Sequence, residues 1–208
     1  MADSITVAGV LLVAGPVLGL VPVAYPPFLP IWTTTRERHI GVVAAHRRAW
    51  WGVNLGFALA TIATSGGLAV LAGALTGDPA RSAMLTAAWV AYGMAGVLWC
   101  AVLGIRALVT PLLFDLGATD GPPGDAERLM GAANGGMFAL FVVGTSAALI
   151  ALGAVLALSG GVAAPVAWIA AAIGALALGV QLITGDTIPA VLYLPTLLIG
   201  IALLANWT

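Results

Sequence analysis

Polar side chains are rare inside the apolar stretches of this sequence, so the few that occur are the first candidates for chemistry. Asn54, Thr61 and Ser65 are spaced 7 and 4 residues apart, which places them on one face of a helix. Asn134 and Thr145, 11 residues apart, share the equivalent face of a second helix. Because an unpaired amide in hydrocarbon is strongly unfavourable, both faces should point into the protein. There they either hydrogen-bond between helices or line a ligand site.

Amide and hydroxyl groups of this kind would suit a neutral or lipophilic solute. The ligand-lining candidates are Asn54, Thr61, Ser65, Asn134, Thr145, Tyr92 and Gln181, with Tyr193 and Thr196 as secondary members. No Asp, Glu, Lys or His lies centrally in an apolar stretch, which argues against a proton relay or an ion-coupled pump. The single cysteine, Cys100, excludes an intrachain disulfide and is expected to pack as a small apolar residue.

The polar segment 33–48 contains both histidines and four of the seven basic residues, all of which are arginines. Glu37, His39 and His46 suggest a metal, but their spacing matches no zinc protease pattern and no third nitrogen or sulfur ligand accompanies them. We therefore predict no metal and no other cofactor. The segment is expected to form a short helix along the membrane interface. Its predicted contacts with anionic lipid headgroups come from Arg36, Arg38, Arg47 and Arg48.

The elements that carry these residues are apolar stretches long enough to cross a membrane. The chain is 62% hydrophobic and 7% charged, against roughly 25% charged residues in soluble domains. A membrane helix needs about 20 apolar residues. We predict an all-α integral membrane protein, with residues 1–208 forming one transmembrane domain. Its six-span helix bundle has spans at about 5–32, 50–75, 83–109, 129–158, 164–184 and 188–205.

Several boundaries of these spans depend on prolines. Pro16 interrupts the apolar stretch of the first span, whose helix is expected to end near Val21, and residues 22–32 are expected to finish the crossing or to lie at the interface in extended form. The prolines there either end the helix at the interface or break a helix that lines a cavity. Pro111 is expected to end the third span and leave an acidic, turn-rich connection over 110–127. Pro189 and Pro195 fall in the sixth span, so a five-span arrangement remains the alternative.

An offset of 80 residues relates two of the spans and predicts a parallel internal repeat, with spans 2 and 4 equivalent. Two of the three asparagines align, each six residues after an arginine. The alternative is chance alignment of Ala, Leu and Gly in two apolar helices. The matches are Arg48, Asn54 and Gly56 with Arg128, Asn134 and Gly136, and, after one inserted residue, 57–59 with 138–140 and 64–65 with 145–146.

The arginines also predict the orientation in the membrane. With six spans, six of the seven arginines fall on the side that follows spans 1, 3 and 5, and only Arg81 falls on the other side. By the positive-inside rule the first side is cytoplasmic, and both termini are outside. The use of arginine alone and the abundance of Ala, Gly and Val suggest a bacterial plasma (inner) membrane protein.

Small residues are expected to allow close helix packing, because leucine gains nothing by leaving lipid. Gly15 and Gly19 form a GxxxG step in the first span, and Gly52 and Gly56 form another in the second. Both steps are predicted to be packing surfaces rather than phosphate loops, since no strand–turn–helix unit accompanies them.

Three classes of function fit this pattern. The first is a non-catalytic accessory or structural subunit that acts by contact with membrane lipids, another membrane protein or a second copy of itself. The second is a small transporter or binding protein for a neutral or lipophilic solute, with a site between spans 2 and 4. The third is a membrane-embedded enzyme acting on lipid through His39 and His46, which lacks an evident nucleophile or metal set. The net charge of -1 gives no indication of nucleic acid binding.

Overall fold

The computed structural model describes residues 2–28, 35–117, 122–159 and 164–205, and this described part is helical apart from short connections. A 3-10 segment, Pro189–Tyr193, leads into the last helix. In chain order the helices are α1 (Ala2–Val23), α2 (Arg36–Ala45), α3 (Arg47–Ala74), α4 (Pro79–Asp115), α5 (Asp125–Leu158), α6 (Ala164–Thr184) and α7 (Leu194–Ala205).

Five of these helices, α1, α3, α4, α5 and α6, are long and apolar enough to cross a membrane. The 3-10 segment and α7 together make a shorter apolar helical stretch, Pro189–Ala205. The predicted helical membrane bundle is therefore confirmed, with five helices of spanning length. The short helix expected over 33–48 also forms, as α2.

Two predictions about prolines are wrong. Residues 2–23 form one continuous helix through Pro16, and a helical turn follows at residues 26–28 where extended chain was expected. Residues 29–32 of the predicted first span lie outside the described residues. α4 continues through Pro111 to Asp115, so the acidic connection is shorter than 110–127, and its residues 118–121 are also outside the described part. A proline removes one helix hydrogen bond, and neighbouring helices make this tolerable in a membrane helix.

The six longest helices form a closed ring in which each packs against the next, in the order α1, α3, α4, α5, α6, α7 and back to α1. The last contact is antiparallel, because Gly9 of α1 lies beside Leu204 and Gly19 lies beside Tyr193. The start of α1 and the end of α7 therefore lie at the same end of the ring. α3 and α5 form no direct interface among the described residues, because α4 lies between them.

Glycines mark the closest approaches between neighbouring helices. A Cβ added at Gly15 would lie 2.9 Å from the carbonyl oxygen of Ala60, and one at Gly153 would lie 2.5 Å from that of Ala167. The predicted packing role of Gly15 is therefore confirmed. Gly52, by contrast, has open space around it, so the packing role predicted for this glycine of α3 is wrong.

The two ends of the ring have different interiors. The arginine end is the end at which α3 and α5 begin and which contains Arg47, Arg48, Arg106 and Arg128. Towards the opposite end the interior is filled by aliphatic side chains. They include Leu12, Leu68, Leu71, Leu85, Leu152 and Ile199.

An ion pair connects two helices at the arginine end. Arg47 at the start of α3 donates two hydrogen bonds to Asp115 at the end of α4, with Nη1 at 2.9 Å from Oδ2. Both side chains are exposed, so water screens the pair and it contributes little to the stability of the fold. It joins the first residue of α3 to the last residue of α4.

Candidate functional site

A cavity of about 560 Å³ opens at the arginine end, between α3, α4, α5 and the connection before α7. Its volume falls within the roughly 300–1,000 Å³ that is typical of ligand sites. Its lining is mostly apolar, with a few polar side chains, which is the usual composition of such sites. The lining residues are Phe57, Trp99, Val102, Arg106, Gly131, Asn134, Gly135, Phe138 and residues 186–190.

The polar side chains that line this cavity include a guanidinium, an amide and a carboxylate. The Arg106 guanidinium lies 5.3 Å from the centre of the Trp50 ring, and the indole Nε1 of Trp50 donates to the Arg106 carbonyl oxygen at 3.0 Å. The Oδ1 atom of Asn134 is buried and has no hydrogen-bond partner among the described residues. This oxygen is therefore an acceptor that a donor in the cavity could satisfy.

Asp186 is held at the cavity by a tight turn between α6 and the 3-10 segment. Gly185 has a φ of 72°, a conformation that glycine adopts without steric cost. The Asp186 carboxylate accepts a hydrogen bond from the Thr187 backbone N–H at 2.8 Å, and the Thr187 hydroxyl donates to the Ala177 carbonyl of α6 at 3.4 Å. These bonds hold the turn against the end of α6.

The inner end of the cavity is closed by an aromatic floor, made of Phe57, Trp99, Phe141 and Tyr193. The Trp99 ring stacks on Phe141 with centroids 4.8 Å apart, and Phe57 stacks on Tyr193 at 6.1 Å. The indole Nε1 of Trp99 donates to the Tyr193 hydroxyl at 3.1 Å, and that hydroxyl lies 2.8 Å from Thr61 Oγ1. The floor thus joins α3, α4, α5 and the 3-10 segment.

The two predicted asparagines lie at similar depth but face different spaces. Asn54 is 4% exposed and lines a separate cleft of about 160 Å³ between α3 and α4, beside exposed Trp51 and Leu108. Its Nδ2 donates to the Trp50 carbonyl oxygen of its own helix at 2.8 Å. Asn134 lines the central cavity instead. The predicted arrangement, with both amides facing one interior site, does not occur.

The residue inserted between the two aligned stretches explains this difference. Phe57 follows Asn54 by three positions, whereas its match Phe138 follows Asn134 by four. One residue rotates a helix by about 100°. If the two phenylalanines point in the same direction relative to the cavity, the two asparagines therefore cannot. Phe57 and Phe138 both line the cavity, so the phenylalanines are the matched pair that shares a site.

The polar face predicted on α3 is directed at α4. A Cβ added at Gly96 would lie 2.7 Å from Thr61 Cγ2, and one at Gly93 would lie 3.3 Å from Ser65 Oγ. The Thr61 hydroxyl also donates to the Phe57 carbonyl at 2.9 Å. Thr61 therefore contacts the floor of the cavity through the Tyr193 hydroxyl, whereas Ser65 lies in the interface between α3 and α4.

The other ligand-lining candidates lie deeper than the cavity or beside it. Tyr92 and Thr145 are 1% and 0% exposed. Gln181 is buried one turn before the end of α6, and its Oε1 has no partner among the described residues. Of the secondary candidates, Tyr193 is part of the floor and the Thr196 hydroxyl donates to the Tyr193 carbonyl at 3.0 Å.

The predicted lipid-contacting arginines lie on the outer surface of the arginine end. Arg38 and Arg48 are exposed, Arg47 is paired with Asp115, and the side chain of Arg36 is outside the described part. His39 and His46 contact aromatic rings edge-on, Trp50 at 5.8 Å and Phe28 at 6.2 Å respectively. No cluster of three metal-ligating side chains occurs within the described ranges.

Sequence reasoning did not identify the aromatic residues of the cavity as part of a candidate site. A Trp or Phe in an apolar span is indistinguishable by type from a packing residue, and Trp99 in particular is fully buried. The repeated phenylalanine, Phe57 and Phe138, was the available signal. The site as a whole can hold an amphipathic molecule, with its apolar body on the aromatic rings and its polar group near Asn134, Arg106 and Asp186.

Comparison with protein-family models, with curated proteins and with solved structures found no match to this chain.

Proposed function

We propose that this protein binds a small, net-neutral amphipathic solute in the cavity at the arginine end, as a transporter or binding protein of a membrane. The observation that carries the proposal is Asn134, which lines a ligand-sized cavity and whose buried Oδ1 has no partner among the described residues. The cavity wall contains one guanidinium, Arg106, and one carboxylate, Asp186. A wall that carries one group of each charge favours a neutral or zwitterionic polar group over a net-charged one.

The proposed setting is the plasma membrane of a bacterium, with six crossings and both termini outside. The antiparallel packing of the 3-10 segment and α7 on α1 supports a sixth crossing, because it returns the chain to the end at which α1 begins. The concentration of arginines at the end that contains the cavity supports a cytoplasmic opening. An accessory role through contact with lipid or a partner protein remains the second prediction, and the exposed apolar outer surface of the ring is compatible with it.

Four probes that share an indole ring and differ in charge test the proposal. The probes are indole, tryptophan, tryptamine and indole-3-acetate, titrated by calorimetry into the protein in lipid nanodiscs. We expect the neutral and zwitterionic members to bind more tightly than the cationic and anionic ones. Asn134→Leu should weaken that binding by about tenfold or more, because the donor of the probe loses its acceptor.

The matched control is Asn54→Leu, which changes the same residue type at similar depth but in the separate cleft. It should leave the binding constant unchanged. Failure of all four probes to bind, or an equal loss of affinity in both variants, would contradict a site at Asn134.

A further inference from the structure

Polar groups continue along the interior of the ring beyond the aromatic floor. On α5, Asn134, Phe138, Phe141 and Thr145 follow one another at spacings of 4, 3 and 4, so they share one helix face. Phe138 lines the cavity, Phe141 stacks on Trp99 in the floor, and Thr145 is fully buried. Thr145 lies about 16 Å deeper than Asn134 along the helix. This face therefore leads from the cavity, past the floor, to a buried hydroxyl.

Two hydroxyls of α5 lie beyond the floor. Thr145 Oγ1 and Ser146 Oγ are each on a residue that is 0% exposed, and neither has a hydrogen-bond partner among the described residues. A hydroxyl in an apolar helix can bond to the carbonyl one turn earlier, as Thr61 does with Phe57 at 2.9 Å. Burying such a group without a partner is unfavourable. Contact with water or a solute in another conformation would satisfy it.

One hydroxyl connects the floor to two helices by hydrogen bonds. The Tyr193 hydroxyl accepts from Trp99 Nε1 at 3.1 Å and lies 2.8 Å from Thr61 Oγ1, so it connects α4 and α3. Tyr193 is the last residue of the 3-10 segment, whose first residues, Pro189 and Ala190, line the cavity. The same short segment therefore lines the cavity at one end and holds the floor at the other.

We propose that the cavity is one half of a translocation path through the ring, and that the aromatic floor is the gate of this path, held shut by the Tyr193 hydroxyl. The opposite half is closed in this structure by aliphatic side chains such as Leu12, Leu68 and Leu152. A cavity open to one side and closed to the other is the arrangement that alternating access requires. The class of cargo, a net-neutral amphipathic molecule, rests on the proposed function, whereas the gate itself is testable without any cargo.

The test measures the reaction rate of a cysteine behind the gate. Thr145→Cys, in a Cys100→Ala background, is treated in nanodiscs with a small cationic methanethiosulfonate reagent. With the gate intact the reaction should be slow, because the position is fully buried. Adding Tyr193→Phe removes the hydroxyl and keeps the ring, and should raise the rate by about tenfold or more. Thr61→Val, which removes the other hydroxyl of the pair, should raise it in the same direction.

The control cysteine is Gly131→Cys, which lines the cavity on the open side of the gate. Its rate should be high and unaffected by either gate variant, which also shows that the cavity is still formed. A Thr145→Cys rate that is the same with and without Tyr193→Phe and Thr61→Val overturns the gate. Probe binding at Asn134 together with unchanged rates would leave a binding site without a path. If the gate variants raise the Thr145→Cys rate but no probe binds, the path stands and its cargo belongs to another chemical class.

Discussion

At the scale of single residues, the stability of a variant distinguishes the binding role proposed for Asn134 from a packing role. Its buried Oδ1 has no partner in the described part of the chain. Asn134→Leu removes this unsatisfied acceptor and retains a side chain of similar size. The variant should therefore leave the free energy of unfolding of the ligand-free protein unchanged, or raise it by up to about 1–3 kcal/mol. Unfolding titrations in mixed micelles measure this difference.

Asn54→Leu gives the contrasting result. The Asn54 amide donates to the Trp50 carbonyl at 2.8 Å, so its loss should lower the free energy of unfolding by about 0.5–1.5 kcal/mol. An equal loss of stability in the two variants would mean that Asn134 is a structural residue. It would also remove the main argument for a solute site.

Helical spacing predicted the shared face of single residues but not what the face contacts. Asn54, Thr61 and Ser65 do lie on one face, and that face meets α4. Periodicity describes one helix at a time, whereas the direction of a face depends on the neighbours of the helix. The cavity-facing residue of α3 is Phe57, one turn from Asn54 on an adjoining face, and nothing in its type distinguishes it from a packing residue.

At the scale of helices, stability depends on backbone approach at glycine. Gly153 of α5 has no room for a side chain, since an added Cβ would lie 2.5 Å from the Ala167 carbonyl oxygen and 2.7 Å from the Ala171 nitrogen of α6. Both are backbone atoms, so the helices would have to move apart. We expect Gly153→Ala to lower the free energy of unfolding by about 1–3 kcal/mol, as measured by denaturant titration in micelles.

Gly136 on the same helix is the matched control, because an added Cβ there meets nothing within 4 Å. Gly136→Ala should be neutral or stabilise the protein by roughly 0.5–1 kcal/mol through helix propensity. If Gly153→Ala proved as harmless as Gly136→Ala, the close contact between α5 and α6 would be wrong.

The existence of the long helices could be predicted from composition, but not their ends. Pro16 and Pro111 are signals for a helix end in water, whereas both α1 and α4 continue through them. In a bundle, a proline destabilises a helix little when neighbouring helices, Ser or Thr side chains or a local adjustment of the helix satisfy the carbonyl that it frees. The proline signal is therefore weaker within a membrane span than at the surface of a soluble protein.

At the scale of the whole molecule, the closed ring was not predictable from the chain. Apolar periodicity gives the number and approximate length of helices, and short connections make successive helices neighbours. The contact that closes the ring, between α7 and α1, joins the two ends of the sequence. It depends on shape, such as the absence of a side chain at Gly200, where an added Cβ would lie 2.8 Å from the backbone of Leu12.

The ring makes a definite prediction about topology, which single-cysteine labelling in a Cys100→Ala background tests. Ser4 and Ala205 are both exposed and lie near the ends of α1 and α7 that meet at one end of the ring. Ser4→Cys and Ala205→Cys should therefore react from the same side of the membrane. His46→Cys, at the arginine end, should react only from the cytoplasmic side, and Thr76→Cys, at the opposite end, only from outside.

The four positions separate the possible failures of this topology. If Ser4→Cys and Ala205→Cys react from opposite sides, then Pro189–Ala205 does not return the chain across the membrane and five crossings are correct. If instead all four react from the sides opposite to those expected, the six crossings stand and the orientation is reversed. The cavity near Asn134 would then open outside the cell. The protein would take its solute from the external medium, although the arginines would lie on the side that the positive-inside rule disfavours.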